Sequence, residues 1–583
     1  MTRIKRIALC TLLIAVITTV TVVLLGGVVG AESVDRDPVT APAVTADPTK
    51  NEESRELTVA SLSLPKVFDS GMVLQRNKPI NVFGYCNTEG ATIRVTLGED
   101  TAEATVTGGK WLATLPAREA EYGATLIVEE LGSVGESRFV YEDVNIGEVW
   151  VVSGQSNAQL QAGYLEDVEE LASLADKYSN IRLYKSAAAF SVEVNKYGNA
   201  DWYDVDGSTV RSTSLMSAVG YATVARLAAE LGEDVPIGLM HVARGASKIK
   251  TWLDYESLVK LSPTEAAKYM SYVTTGDALP SNAHTQVGCI LYNYQIAPLD
   301  GYSVAGVLWY QGEGDAGGIG GTLGAEGTTY TEYFKALVDL YRRVFGNDSE
   351  LPFYVMQIAP YARSSDTAEE LYEFKMEQYS MCESIDGAYL VSLMNDGGTF
   401  CSSLFSQGYI HPARKSTVGN RCAEMILANE YGIKVREVYT YPKPVSATFS
   451  DGVVEVTFDT ELKLLYGTEV LGFELLDGVK WVKATGTIDG NKLYLVAEGI
   501  KNPTMLRYGC GEMQAELGDG TIISVPGAGL SVDATASTIT ITSNGNTYVI
   551  DNPLDYIRSM DVGNITNASG VPLVVFSMPV KAE

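Results

Sequence analysis

Between residue 144 and about residue 435, short apolar runs alternate with longer stretches whose apolar positions recur at helical spacing. The runs 148–152, 235–242, 304–310, 352–358 and 388–393 predict strands. The stretches 164–177, 218–231, 330–345, 367–384 and 416–430 predict helices. Continuous apolar strands alternating with helices imply an α/β domain, a doubly wound, mainly parallel sheet covered on both faces. In such sheets the chemistry lies beyond the carboxyl ends of the strands.

The pattern differs on either side. From 61 to 143 it becomes a period of two in short segments (Ile80–Phe83, Thr92–Val95, Trp111–Leu115, Ala124–Val128), which predicts a small β-sandwich. From 436 to 583 it is again strand-like, giving a second β-rich region. Residues 32–60 are polar and without periodicity, and read as a flexible linker.

The first 31 residues have the form of an export signal. Arg3, Lys5 and Arg6 precede an apolar run from Ile7 to Val29, and Val29-Gly30-Ala31 offers a small-residue cleavage site. The run is also long enough to span a bilayer, so a signal peptide and an uncleaved membrane anchor through residues 7–29 both fit. Either places the protein outside the cell or on its surface. A net charge of −29 argues against nucleic acid or an anionic membrane surface as partner, because both require a basic patch. Outside the leader, Cys86, Cys289, Cys382, Cys401, Cys422 and Cys510 lack Cys-x-x-Cys spacing, so no zinc site is indicated. Disulfides are permissible after export, and buried free thiols are at least as well accommodated in a body of this size.

Three predicted strand ends carry unusual residues. The strand 148–152 ends in Ser153-Gly154-Gln155-Ser156-Asn157 just before a helical stretch, Gln159 to Asp176. A serine there is either a helix N-cap or a nucleophile whose anion is favoured by helix N–H groups. The second strand end reads Ala243-Arg244-Gly245-Ala246-Ser247, and the third Tyr310-Gln311-Gly312-Glu313-Gly314-Asp315. A backbone N–H from the second and an amide from the third could join the N–H of Ser156 in an oxyanion hole. A serine nucleophile also needs a base. Of the three histidines, His241 lies inside an apolar strand and His284 precedes another apolar run, positions that suit structural roles. His411 lies in a loop before a predicted helix, where its ring could swing over the sheet edge.

Taken together, these blocks resemble the sialate O-acetylesterases, carbohydrate esterases of the SGNH (GDSL-like) hydrolase class. The likeness runs through Leu64-Pro65 with Phe68–Arg76, Gly147–Trp150 with Ser153–Asn157, Leu291-Tyr292-Asn293 with Ile296–Leu299, Trp309–Glu313, and His411-Pro412 with Lys415, Gly419 and Arg421. It implies an SGNH-like catalytic domain over 144–435 that removes O-acetyl groups from sialic acids through an acyl-serine, with no metal or organic cofactor. Ser156 would attack and His411 would carry the proton. The N–H groups of Ser156 and Gly245 and the side chain of Gln311 would hold the oxyanion, and Glu313 would brace its loop.

The chain departs from the family at three points. Ala246 stands where the relatives carry a second glycine, although a positive φ is disfavoured for alanine. Gly408 and Tyr409 stand where an SGNH enzyme places its histidine-loop aspartate. The triad acid is then Asp396, or a main-chain carbonyl completes a Ser–His dyad. Residues from about 515 to 560 resemble an insertion before the closing stretch Asn567–Pro572. Deacetylation of other glycans such as acetyl-xylan, and a catalytically silent glycan-binding role, are the alternative functions. Gly317–Gly321 lacks the Lys-Ser/Thr of a phosphate loop and reads as a mobile loop beside the site. The sequons at Asn347, Asn564 and Asn567 are candidate glycosylation sites.

Overall fold

The computed structural model describes residues 61–582, except 133–136, 317–325, 362–366, 397–409, 413 and short stretches between 512 and 556. The leader, the linker, Cys401, Gly408, Tyr409 and the Gly317–Gly321 loop lie outside the described residues. Among the described residues no helix is long and apolar enough to cross a membrane.

The frame is one sheet. Its central strands are β1 (Arg138–Gly154), β2 (Ile181–Ser186), β3 (Ala200–Asp204), β4 (Ile237–Ala243), β5 (Gly306–Tyr310), β6 (Phe353–Met356) and β7 (Ala388–Val391), in spatial order β3-β2-β4-β1-β5-β6-β7. All neighbours pair parallel except β3 with β2, which is antiparallel. The predicted strands are all present, and β2 and β3 are added to them. β1 is longer than its apolar run, because its first half pairs antiparallel with Glu121–Glu130 of the N-terminal β region. One continuous strand therefore crosses residues 143 and 144.

Alternation along the strands shows why they are apolar on both faces. Val149, Val151, Met240, Val242, Val307 and Trp309 pack into one core, with Phe334 and Leu337 of α4 (Tyr330–Val344) and Phe374 and Met381 of α5 (Ala368–Ser384). Trp150, Val152, Leu239 and Leu308 pack into a second core. There they meet Leu171 of α2 (Val168–Lys177), Val224 and Leu227 of α3 (Ala218–Leu231) and Cys422 and Ile426 of α6 (Lys415–Glu430). Burial on both sides removes the polar alternation of a half-exposed strand.

The helical stretch expected from Gln159 to Asp176 is instead a one-turn helix α1 (Ser156–Gln159), an extended break at Leu160, a 3-10 turn and then α2. The break has a tertiary cause. Ala162 N–H donates to the Met216 carbonyl and Ala218 N–H to that of Leu160, which pins the segment to the start of α3.

Residues 444–582 contain an eight-stranded sheet, and three-stranded antiparallel sheets form within 513–561, the stretch read as an insertion. Cys86, Cys289, Cys382, Cys422 and Cys510 are free and buried. Asn564 and Asn567 are also buried, and their amides are bonded to main-chain carbonyls. Their sequons are therefore inaccessible in the folded chain, whereas Asn347 is exposed.

Candidate active site

Register brings the three unusual strand ends together: Gly154 of β1 pairs with Ala243 of β4 on one side and Tyr310 of β5 on the other. The chain leaves β1 through Gly154 at φ +129°, where a Cβ would stand 2.2 Å from the Tyr310 carbonyl oxygen. Only glycine can make that exit. Gln155, not Ser156, is the N-cap of α1, so Ser156 is the first residue of the helix and its hydroxyl is free for other work. Ser156 Oγ lies 2.9 Å from His411 Nε2, across 255 residues of sequence. Both side chains are half-buried.

Asn157 ties the two halves of this pair. Its amide nitrogen donates to Glu313 Oε1 at 2.5 Å and to the carbonyl of Ile410, beside the histidine, at 3.1 Å. Its oxygen accepts from Lys415 Nζ at 2.6 Å. Lys415 is wholly buried at the first residue of α6, where the helix field disfavours a cation. Burial pushes its pKa down to about 7, while Glu313, Asp167 and Asp396 oppose that shift. Glu313 thus braces the site, as expected. Asn157 and Lys415 had been recognisable only as motif letters, because nothing in residue spacing announces a hydrogen bond spanning 258 positions.

The folded state therefore disfavours the charged form of Lys415 relative to an ordinary value of 10.5. The resulting destabilisation is full below about pH 7 and is relieved as pH rises toward the unfolded value. The unfolding free energy of the wild type, minus that of Lys415→Met, is expected to rise between pH 7 and 10. A difference that stays flat over that range in urea titrations contradicts the assignment.

Gln311 is placed beneath the site. It is fully buried, and its amide nitrogen donates to Asp315 Oδ2 at 2.7 Å, Gln155 Oε1 at 3.1 Å and the Ser247 carbonyl at 3.1 Å. Its oxygen accepts from the Tyr330 hydroxyl at 2.7 Å. Gln155 Oε1 also accepts from the N–H groups of Gly312 and Gly314. The amide expected over the oxyanion is thus a strut joining the loops, its donors already committed. Gly245 lies beside the nucleophile, where a Cβ on it would stand 3.7 Å from Ser156 Cβ, and it carries a backbone N–H. That N–H donates to Gln159 Oε1 at 2.5 Å, so a carbonyl-type oxygen already occupies its axis. Asp396 is bonded to Arg421 at 2.6 Å, which partners its charge within the frame.

The other two histidines have other partners. His241 is fully buried with Nδ1 2.9 Å from the Leu215 carbonyl, and burial holds its pKa well below the usual value. His284 packs against the Phe190 ring.

Ala246 adopts φ +58°, a left-handed conformation that glycine reaches without strain. Ala246→Gly should raise the unfolding free energy by about 0.5–1 kcal/mol, the left-handed penalty less the extra chain entropy of glycine. Urea denaturation measures it, and an unchanged or lower value would show that alanine is unstrained there.

Among the described residues no cluster of His, Cys, Asp or Glu is placed to hold a metal ion.

Residues 146–392 match the family model described as carbohydrate esterase, sialic acid-specific acetylesterase. That interval contains Ser156, Gly245 and Gln311 and stops before His411. The chain is 25% identical to the sialate O-acetylesterase of Mus musculus over 445 residues, covering 68% of this chain and 79% of that one. It is 25% identical to the Homo sapiens sialate O-acetylesterase over 428 residues, covering 68% and 76%. In fold it is similar to the crystal structure of a carbohydrate acetylesterase from Xanthomonas citri, with TM-score 0.66 and 24% identity over 89% of this chain and 99% of that one.

Proposed function

We propose that this chain, an esterase whose residues 146–392 match the sialic acid-specific acetylesterase model and which is similar to the sialate O-acetylesterases, removes O-acetyl groups from sialic acids through an acyl-serine. The observation that carries the reading is the 2.9 Å contact between Ser156 Oγ and His411 Nε2 above the sheet's carboxyl edge. It lies within the reach a base needs to take the serine proton.

In this mechanism His411 accepts that proton as Ser156 adds to the acetyl carbonyl, and returns it to the departing sugar hydroxyl. Water then repeats the sequence on the acyl-serine and frees acetate. The N–H of Ser156, at the head of α1, and that of Gly245 hold the oxyanion. The substrate's oxygen takes the place of Gln159 Oε1, which swings out on its short helix. Asp396 stays with Arg421, and Asn157 with Lys415 sets the histidine loop.

The same reading takes the catalytic unit, 144–435, as an SGNH-like doubly wound domain. A β-sandwich over 61–143 and a β-rich region over 436–583 flank it. It takes residues 1–31 as the export element, cleaved or retained as an anchor, behind a linker at 32–60. Acetate release from O-acetylated N-acetylneuraminic acid, compared with acetyl-xylan at equal ester concentration, tests the substrate. Faster release from the sialic acid is expected. Release from acetyl-xylan alone would move the protein to the xylan-esterase reading.

A further inference from the structure

Arg244 closes strand β4 one residue before Gly245, and its backbone N–H donates to the Gly154 carbonyl at 3.0 Å. Its half-buried side chain crosses toward the end of β2, where Nη1 donates to the Ala188 carbonyl at 2.6 Å. The guanidinium lies 5.9 Å from the centre of the Phe190 ring, which in turn packs on His284. Among the described residues no carboxylate pairs with it. That is unusual in a chain with 72 acidic and 43 basic residues. Arg342, which has no ion pair among the described residues either, is instead spent on the carbonyls of Leu351 and Asp386. Lys248 nearby, unlike Arg244, has the carboxylates of Asp315 and Glu265 acting in favour of its charge, with burial and Lys250 acting against it. Burial alone lowers the proton affinity of Arg244, with no neighbouring carboxylate to oppose it. A guanidinium has five N–H donors in a fork that fits a carboxylate in two places, and here one is clearly used.

We propose that Arg244, backed by Phe190, is the subsite for the carboxylate of an acidic sugar whose acetyl group sits at Ser156. This rests on the reading of Ser156 and His411 as the esterase pair. The sheet order is β2-β4-β1, so the end of β2 is two strand spacings from the nucleophile, about 10 Å. A sialic acid lying across the end of β4 would present its carboxylate over β2 and its acetylated glycerol tail over β1. A neutral xylan chain has no group for this guanidinium. Arg244 is therefore the residue that selects sugar acids over neutral sugar esters.

The test compares kcat/KM for O-acetylated N-acetylneuraminic acid and for its methyl ester, in which the carboxylate is masked without altering the protein. The wild type should prefer the acid by about tenfold or more, the value of one charge-assisted bidentate contact. In Arg244→Gln the ratio should fall to about one, and Arg244→Lys, which keeps charge without the fork, should fall between. A wild-type ratio near one overturns the subsite. So does a ratio left unchanged by Arg244→Gln, including the case in which both substrates slow equally, since that marks a loop-supporting role. The esterase reading fails separately: a wild type that also leaves p-nitrophenyl acetate and acetyl-xylan intact would refute the Ser156 chemistry itself.

Discussion

Ser156→Ala is expected to lower kcat for acetyl-ester hydrolysis by roughly 10⁴–10⁶-fold, with binding of the sugar largely kept. The alanine leaves the oxyanion donors in place but no oxygen to attack, so what remains is the small acceleration from binding and electrostatics. His411→Ala should cost a similar factor, because a neutral serine hydroxyl is a weak nucleophile without its base. The more discriminating result is the pair. Two residues that act through one proton transfer do not add, so Ser156→Ala with His411→Ala should be no slower than either alone. Turnover of p-nitrophenyl acetate and of the sugar ester provides the measurement. Multiplicative losses would mean that the 2.9 Å contact is not where the reaction occurs.

Asn157→Leu should be the most damaging change outside the reacting pair. Leucine is close in size but cannot bridge Glu313, Lys415 and the Ile410 carbonyl. A buried carboxylate and a buried ammonium lose their common partner, a disruption that typically costs about 3–5 kcal/mol. Activity should fall as well, by about 100-fold. The Ile410–His411 segment loses its tie to the nucleophile turn, and a displacement near 1 Å in a reacting geometry carries that cost. The fall should be in kcat with KM little changed, because Asn157 touches the loops and not the substrate. Urea unfolding and steady-state kinetics on the same preparation separate the two effects. Stability lost with kcat intact would confine Asn157 to the scaffold.

Much of this site could be read from the chain, for identifiable reasons. The strand ends were legible because a parallel strand buried on both faces is a plain apolar run, and Gly154 and Gly312 mark where it stops. Helices α4 and α5 were legible from their periodicity, and Thr329 with Glu332 and Thr367 with Glu370 close capping boxes at their starts. Strands β2 and β3 were missed because Arg182, Lys185, Asp201 and Asp204 interrupt their apolar pattern. Helices Tyr255–Leu261 and Pro263–Thr275 were missed too, though Asp254 and Ser262 cap them, because few of their residues are buried. The pairing of Ser156 with His411 was expected from residue types and motif order. The fate of Gln311 was not, since a side chain that reaches over a substrate and one that ties loops from below have the same sequence signature. The Asn157–Lys415 link was equally hidden, because it exists only once α6 has packed against α3.

The account depends most on a covalent ester at one oxygen. Acid-quenched reactions with p-nitrophenyl acetate, digested and examined by mass spectrometry, should carry the acetyl group on the peptide containing Ser156. Acetyl found on another residue, or none on that peptide while turnover proceeds, would contradict an acyl-serine mechanism in this protein.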